Sequence, residues 1–218
     1  MTCIKIKICG ITRLEDALKA CALGADILGF NFVPSSKRYV DPYAVRGIIA
    51  ALPPFVTTVG IFAGEELSVV NDMIAFAALD AVQLHGDEDS VYCRGVRAPV
   101  IKAVRVAGGA DLQDLGQYSV SAYLLDAREE GALGGTGRTF PWQEAVDFCG
   151  ANRVFVAGGL RPENVAAAIR LLKPYGVDAA SGVESAPGRK DAGLMESFIR
   201  AARCAAVASG GGCGDIAC

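Results

Sequence analysis

Eight times along this 218-residue chain, a short β-branched or apolar run gives way to an amphipathic stretch. Strands are expected over 4–9, 26–32, 56–62, 80–84, 99–105, 121–126, 153–157 and 177–181. Helices are expected over 13–23, 42–52, 67–78, 88–95, 110–117, 141–149, 162–173 and 191–206. In "DALKACALG" and "NVAAAIRLLKPYG" apolar residues recur at three and four, and a glycine follows the last turn. Strands and helices in strict alternation imply parallel strands joined by right-handed crossovers.

Two architectures accept that order, a closed eight-fold barrel and an open doubly wound sheet. The count of eight, with a helix after the last strand, favours the barrel. A doubly wound sheet would want G-x-G-x-x-G after its first strand, and "CGITRLED" is not one. The expectation is an α/β chain forming a single (β/α)8 TIM barrel over residues 1–207. The glycine-rich segment 208–218 has no periodicity and reads as a disordered tail.

Composition narrows the class. Hydrophobic content of 52% with 21% charge belongs to an ordinary globular protein, and 218 residues bury a core without staples. A net charge of −3, with no dense basic cluster, argues against nucleic acid as a partner. No apolar run is long enough to span a membrane, and the N-terminus has no signal-peptide pattern, so cytoplasm is the expected location. The eight cysteines form no C-x-x-C pair, and one histidine leaves no Cys/His zinc pattern, so no metal is expected. Most of the thiols read as small apolar filler.

In such a barrel the chemistry sits at the carboxyl ends of the strands. Cys9-Gly10 ends the first strand, Arg38 follows the second, His85 the fourth, and Asp126 ends the sixth. Glycine-bearing turns follow strands six, seven and eight: "GALGGTGRTF", "AGGLRPEN" and "SGVESAPG". One such turn alone is commonly just a tight turn. Three on one rim, two of them after strands seven and eight, point to backbone N–H groups gathered around a phosphate.

Cys9, read alone, is either inert packing or a functional thiol. Asp126 either braces a loop or serves as an acid, since an unpaired charge at the end of an apolar strand is costly. Together, flanking a sugar, they would make a proton-abstracting thiolate and a proton-donating carboxyl, which requires both pKa values to be shifted. His85 in "HGDE" reads first as a structural hydrogen-bonding residue for the adjacent acids, and otherwise as a substrate contact.

"KICGIT", "QLHGDE", "LLDA…GGTGRTFPW", "VAGGLRPENV" and "VDAASGVESAPGRKD" together resemble the phosphoribosylanthranilate isomerase family over about residues 4–205. The resemblance implies a (β/α)8 barrel that carries out an Amadori rearrangement in tryptophan biosynthesis without a cofactor. N-(5-phosphoribosyl)anthranilate becomes 1-(2-carboxyphenylamino)-1-deoxyribulose 5-phosphate. By position, the family's base falls on Cys9 and its acid on Asp126. Its arginine for the anthranilate carboxylate falls on Arg38, and its aspartate near the amine on Asp178. Phosphate contacts fall on Gly135, Thr136, Gly137, Gly158, Gly159, Ser181 and Gly182. The small-molecule phosphosugar-anthranilate is the expected partner, and a monomer is expected in preference to a dimer. Arg138, Pro141 and Ala180 depart from the family pattern, the last removing one hydrogen bond near the phosphate.

Two other readings compete. An indole-glycerol-phosphate synthase would want a lysine acid at a strand end, whereas Lys5 and Lys7 sit inside strand one. A silent phosphosugar-binding barrel would be expected to lose Cys9 or Asp126, and both are present.

Overall fold

A computed structural model of the chain describes residues 4–127 and 140–210. Strands β1 (Lys5–Cys9), β2 (Ile27–Asn31), β3 (Thr57–Phe62), β4 (Ala81–Leu84), β5 (Val100–Val106), β6 (Ala122–Ala127), β7 (Val154–Val156) and β8 (Gly176–Ala179) close into a parallel barrel. The closing seam pairs β1 with β8, setting Lys7 opposite Asp178.

Both faces of each strand are covered, so the strands read as near-continuous apolar runs. The two faces still hold different residues. Ile27, Val59, Ile101, Leu124 and Phe155 fill the inside of the barrel. Ile6, Ile8, Leu28, Val82 and Leu125 face outward, in the cluster that includes Val45, Val165, Ile169 and Phe198 of the helices. Period-two alternation therefore fixes which strand residues are available to a site inside the barrel.

The helices are α1 (Leu14–Ala22), α2 (Pro42–Ala50), α3 (Leu67–Ala77), α4 (Ser90–Gly95), α5 (Val146–Ala151), α6 (Val165–Leu172) and α7 (Ala192–Gly210). The start of α2 is written in its sequence: Asp41 accepts from the N–H groups of Tyr43 and Ala44, and Pro42 opens the first turn. Helix α7 is tied to the barrel floor by Arg203, which donates to the carbonyl of Ile4 and, at 2.8 Å, to Asp26. It runs beyond residue 207, and residues 211–218 of the expected tail lie outside the described residues.

Three segments differ from expectation. The stretch 110–117 forms two 3-10 turns, Gly109–Leu112 and Leu115–Gln117. Asp111 folds back to accept from the N–H groups of Ala107 and Gly108, which caps a turn and does not extend a helix. The segment after Pro141 opens as a 3-10 turn, Trp142–Ala145, before α5 begins. After β8, a 3-10 turn at Ser181–Val183 leads into a short antiparallel hairpin, β9 (Glu184–Ala186) with β10 (Arg189–Lys190). No described helix is long and apolar enough to cross a membrane.

Candidate active site

Inward-facing polar groups collect where the strands end. Lys7 and Cys9 share the inner face of β1, one pleat apart. Lys7 is completely buried, and its Nζ donates to Asp178 Oδ1 at 2.7 Å across the β1–β8 seam. The Cys9 side chain follows on the same inner face of β1, where the Lys7 charge acts on its thiol. Burial works against the Lys7 charge, but Asp178 and then Cys9 outweigh it and hold Lys7 above its ordinary value.

At Cys9 the balance falls the other way. Burial pushes the thiol up, and the nearby cations Lys7 and Lys190 do not overcome it. Burial thus disfavours the thiolate that a base requires, and only the nearby cations favour it. Gly10 follows at φ +75°, and a Cβ there would stand 2.5 Å from Arg38 Cδ. Glycine thus lets the backbone turn away beneath the Arg38 side chain.

Arg38 grips Glu184 of β9, with Nε 2.9 Å from Oε1 and Nη2 2.7 Å from Oε2. Glu184 also accepts from Lys190 Nζ at 2.8 Å, and Lys190 donates on to the carbonyls of Cys9 and Ala180. Burial alone would raise Glu184; the hydrogen bonds and charges of Arg38 and Lys190 bring it below its ordinary value. The hairpin thereby ties together the ends of β1 and β8 and the loop after β2.

Across the mouth, Asp126, one residue before the end of β6, is buried and faces inward. His85 Nε2 lies 3.5 Å from Asp126 Oδ2, and the Gln83 amide nitrogen stands 3.0 Å from Nδ1. The ring thus presents Nδ1 to Gln83 and Nε2 to Asp126. Of the expected partners of His85, the adjacent acids, Glu88 is engaged elsewhere. Glu88 accepts from the N–H groups of Gly64 and Gly86 and from Lys102 Nζ at 2.9 Å. A cavity of roughly 350 Å³ opens beside His85, lined also by Lys102, Arg105 and Tyr118.

The turns after β7 and β8 present their backbone. Gly158 and Gly159 both have positive φ, and Asn164 fixes the turn by donating to the Gly159 carbonyl and accepting from the Arg161 N–H. Among the described residues, no protein acceptor is found for the N–H groups of Gly158, Gly159, Ser181 and Gly182. Gly135, Thr136 and Gly137 lie outside the described residues. The described residues contain no group of three or more His, Cys, Asp and Glu side chains arranged to hold a metal ion.

The structure thus gathers Cys9, Arg38 and Asp178 on one side of the mouth and His85 with Asp126 on another. The glycine turns complete the rim. Sequence reading missed Lys7, Glu184 and Lys190. All three lie inside quoted motifs, "KICGIT" and "SGVESAPGRKD", but their partners sit on other strands.

The family model for N-(5'-phosphoribosyl)anthranilate (PRA) isomerase matches residues 6–201. An N-(5'-phosphoribosyl)anthranilate isomerase of Pelobacter propionicus is 52% identical over 200 residues, covering 92% of this chain and 96% of that protein. The crystal structure of phosphoribosyl anthranilate isomerase from Thermotoga maritima superposes with a TM-score of 0.87 at 43% identity. That comparison covers 92% of this chain and 99% of the other. Another crystal structure of a phosphoribosyl anthranilate isomerase, in complex with reduced 1-(o-carboxyphenylamino)-1-deoxyribulose 5-phosphate, has a TM-score of 0.84 at 41% identity, covering 92% and 99%. The chain belongs to the N-(5'-phosphoribosyl)anthranilate isomerase family.

Proposed function

We propose that this member of the family catalyses the Amadori rearrangement of N-(5-phosphoribosyl)anthranilate to 1-(2-carboxyphenylamino)-1-deoxyribulose 5-phosphate. The setting is L-tryptophan biosynthesis in the cytoplasm, and no cofactor takes part. One observation carries the reading: a thiol and a carboxyl face the same barrel mouth from β1 and β6, next to glycine turns with unclaimed N–H groups.

In this reading Asp126 protonates the furanose ring oxygen and opens the ring to a Schiff base. Cys9, as thiolate, then removes the proton from carbon 2, and the resulting enolamine tautomerises to the ketone. The phosphate sits on the N–H groups of Gly158, Gly159, Ser181 and Gly182. Glu184 occupies the Nε edge of Arg38, so Nη1 of the guanidinium is left to meet the anthranilate carboxylate. Asp178 meets the amine. His85 Nε2 has no hydrogen-bond partner among the described residues and is the nearest ring nitrogen to the acid.

Turnover of phosphoribosylanthranilate generated in situ, followed by its fluorescence, tests this directly. Wild type should turn over, and Cys9→Ala and Asp126→Asn should each lose several orders of magnitude while staying folded. A Cys9→Ala variant as active as wild type would require another base. A folded wild type with no turnover would remove the reading altogether.

A further inference from the structure

A buried ammonium is costly unless it is paired, and Lys7 lies among the apolar residues that fill the barrel. It has two neighbours to serve, the Asp178 carboxylate at 2.7 Å and the Cys9 thiol above it on the same strand. The charged groups facing the thiol are Lys7 from β1, Asp178 from β8, Lys190 from β10 and Arg38 from the loop after β2. Lys190 and Arg38 already share one carboxylate, Glu184, at 2.8 and 2.7 Å. Lys7 is the charge nearest in influence on the thiol after burial itself, and it pulls in the direction of ionisation, whereas Asp178 opposes it.

We propose that Lys7 is the positioning residue of Cys9: its single buried ammonium is shared between Asp178 and the thiol, and it turns to the thiolate when Asp178 engages the substrate's amine. The proton released by Cys9 goes to solvent water, and no other bond changes. The proposal deepens the function proposed above and rests on Cys9 being its base. It accounts for how a base that burial disfavours can ionise, because substrate binding would release the Lys7 countercharge that the thiolate needs. A thiolate held only in the loaded site is also protected from adventitious alkylation.

The test needs no turnover. Alkylation of Cys9 by iodoacetamide is followed against pH by mass spectrometry of the Cys9 peptide, in wild type, Lys7→Met and Asp178→Asn. Lys7→Met should move the midpoint of reactivity to higher pH by about 1 unit or more. Asp178→Asn should move it to lower pH, since the freed ammonium then serves the thiol alone. Opposite signs are the expected result. Unchanged midpoints, or shifts of the same sign, overturn the proposal. If Lys7→Met does not fold, Asp178→Asn decides: a lower midpoint supports the sharing, and an equal or higher one overturns it. Activity retained by Cys9→Ala would instead overturn the function reading while leaving the alkylation result intact.

Discussion

The guanidinium of Arg38 and the carboxylate of Glu184 meet edge to edge, and the same carboxylate holds Lys190, whose side chain has no exposed surface. One anion thus organises two cations at the mouth. Glu184→Ala should cost about 3–5 kcal/mol, because it strands a buried ammonium. With Arg38 on the anthranilate carboxylate as proposed, it should also raise KM more than it lowers kcat. Urea unfolding and steady-state kinetics measure the two effects, and a loss under about 1 kcal/mol would contradict the buried-pair account.

Acid should weaken the fold through Glu88. Burial raises this carboxyl, but the N–H of Gly64 and the Lys102 ammonium outweigh it, leaving the folded value below the ordinary one. A depressed folded pKa gives stability that is present above the unfolded value, near 4.3, and is lost as pH falls through the folded value. Wild type should therefore lose stability relative to Glu88→Gln as pH falls from about 5 to 3. Parallel unfolding curves for the two proteins across that range would show that Glu88 contributes nothing to the pH dependence.

Gly158 stands against the Asp126 carboxyl. Its φ is +75°, and a Cβ there would lie 2.5 Å from the Ala127 nitrogen and 3.0 Å from Asp126 Oδ1. Gly158→Ala should push the turn after β7 away from Asp126, with left-handed strain of about 1–2 kcal/mol added. The expected outcome is a rise in KM together with a fall in kcat of about tenfold or more, if Asp126 is the acid as proposed. Kinetics equal to wild type would mean that the turn yields without moving the site.

Two helix ends have the wrong residue for their backbone. Ala78 closes α3 at φ 58° and Lys173 closes α6 at φ 45°, both left-handed and both exposed. Ala78→Gly and Lys173→Gly should each stabilise the protein by about 0.5–1 kcal/mol, as glycine adopts this C-cap without strain. Thermal unfolding should show each midpoint rising, with activity unchanged, since both positions lie at the end of the barrel opposite the site. A lowered midpoint would mean that the added freedom of the unfolded chain outweighs the strain relieved.

The barrel itself was legible because local chemistry repeats. Eight β-branched runs, each followed by an amphipathic stretch, leave few ways to bury both faces of a parallel sheet, and all eight strands fall within two residues of expectation. The placement of Cys9, Asp126 and the glycine turns after β7 and β8 at strand ends was legible too, since a strand end is defined by its own sequence. The 3-10 turns at 109–117 were not, because a Gly-Gly-Ala-Asp stretch fits a helix pattern until Asp111 folds back on it. Pairing across strands was decided only by closure. Lys7 meets Asp178, 171 residues away, because the β1–β8 seam sets them in register, and Arg38 meets Glu184 because the hairpin after β8 folds under the loop after β2. The charge state of the thiol follows from those pairings, and from burial that no single strand can report. Sequence determined which groups reach the rim; tertiary structure decided which charges they share, because electrostatic energy depends on distance in space and on exclusion of water.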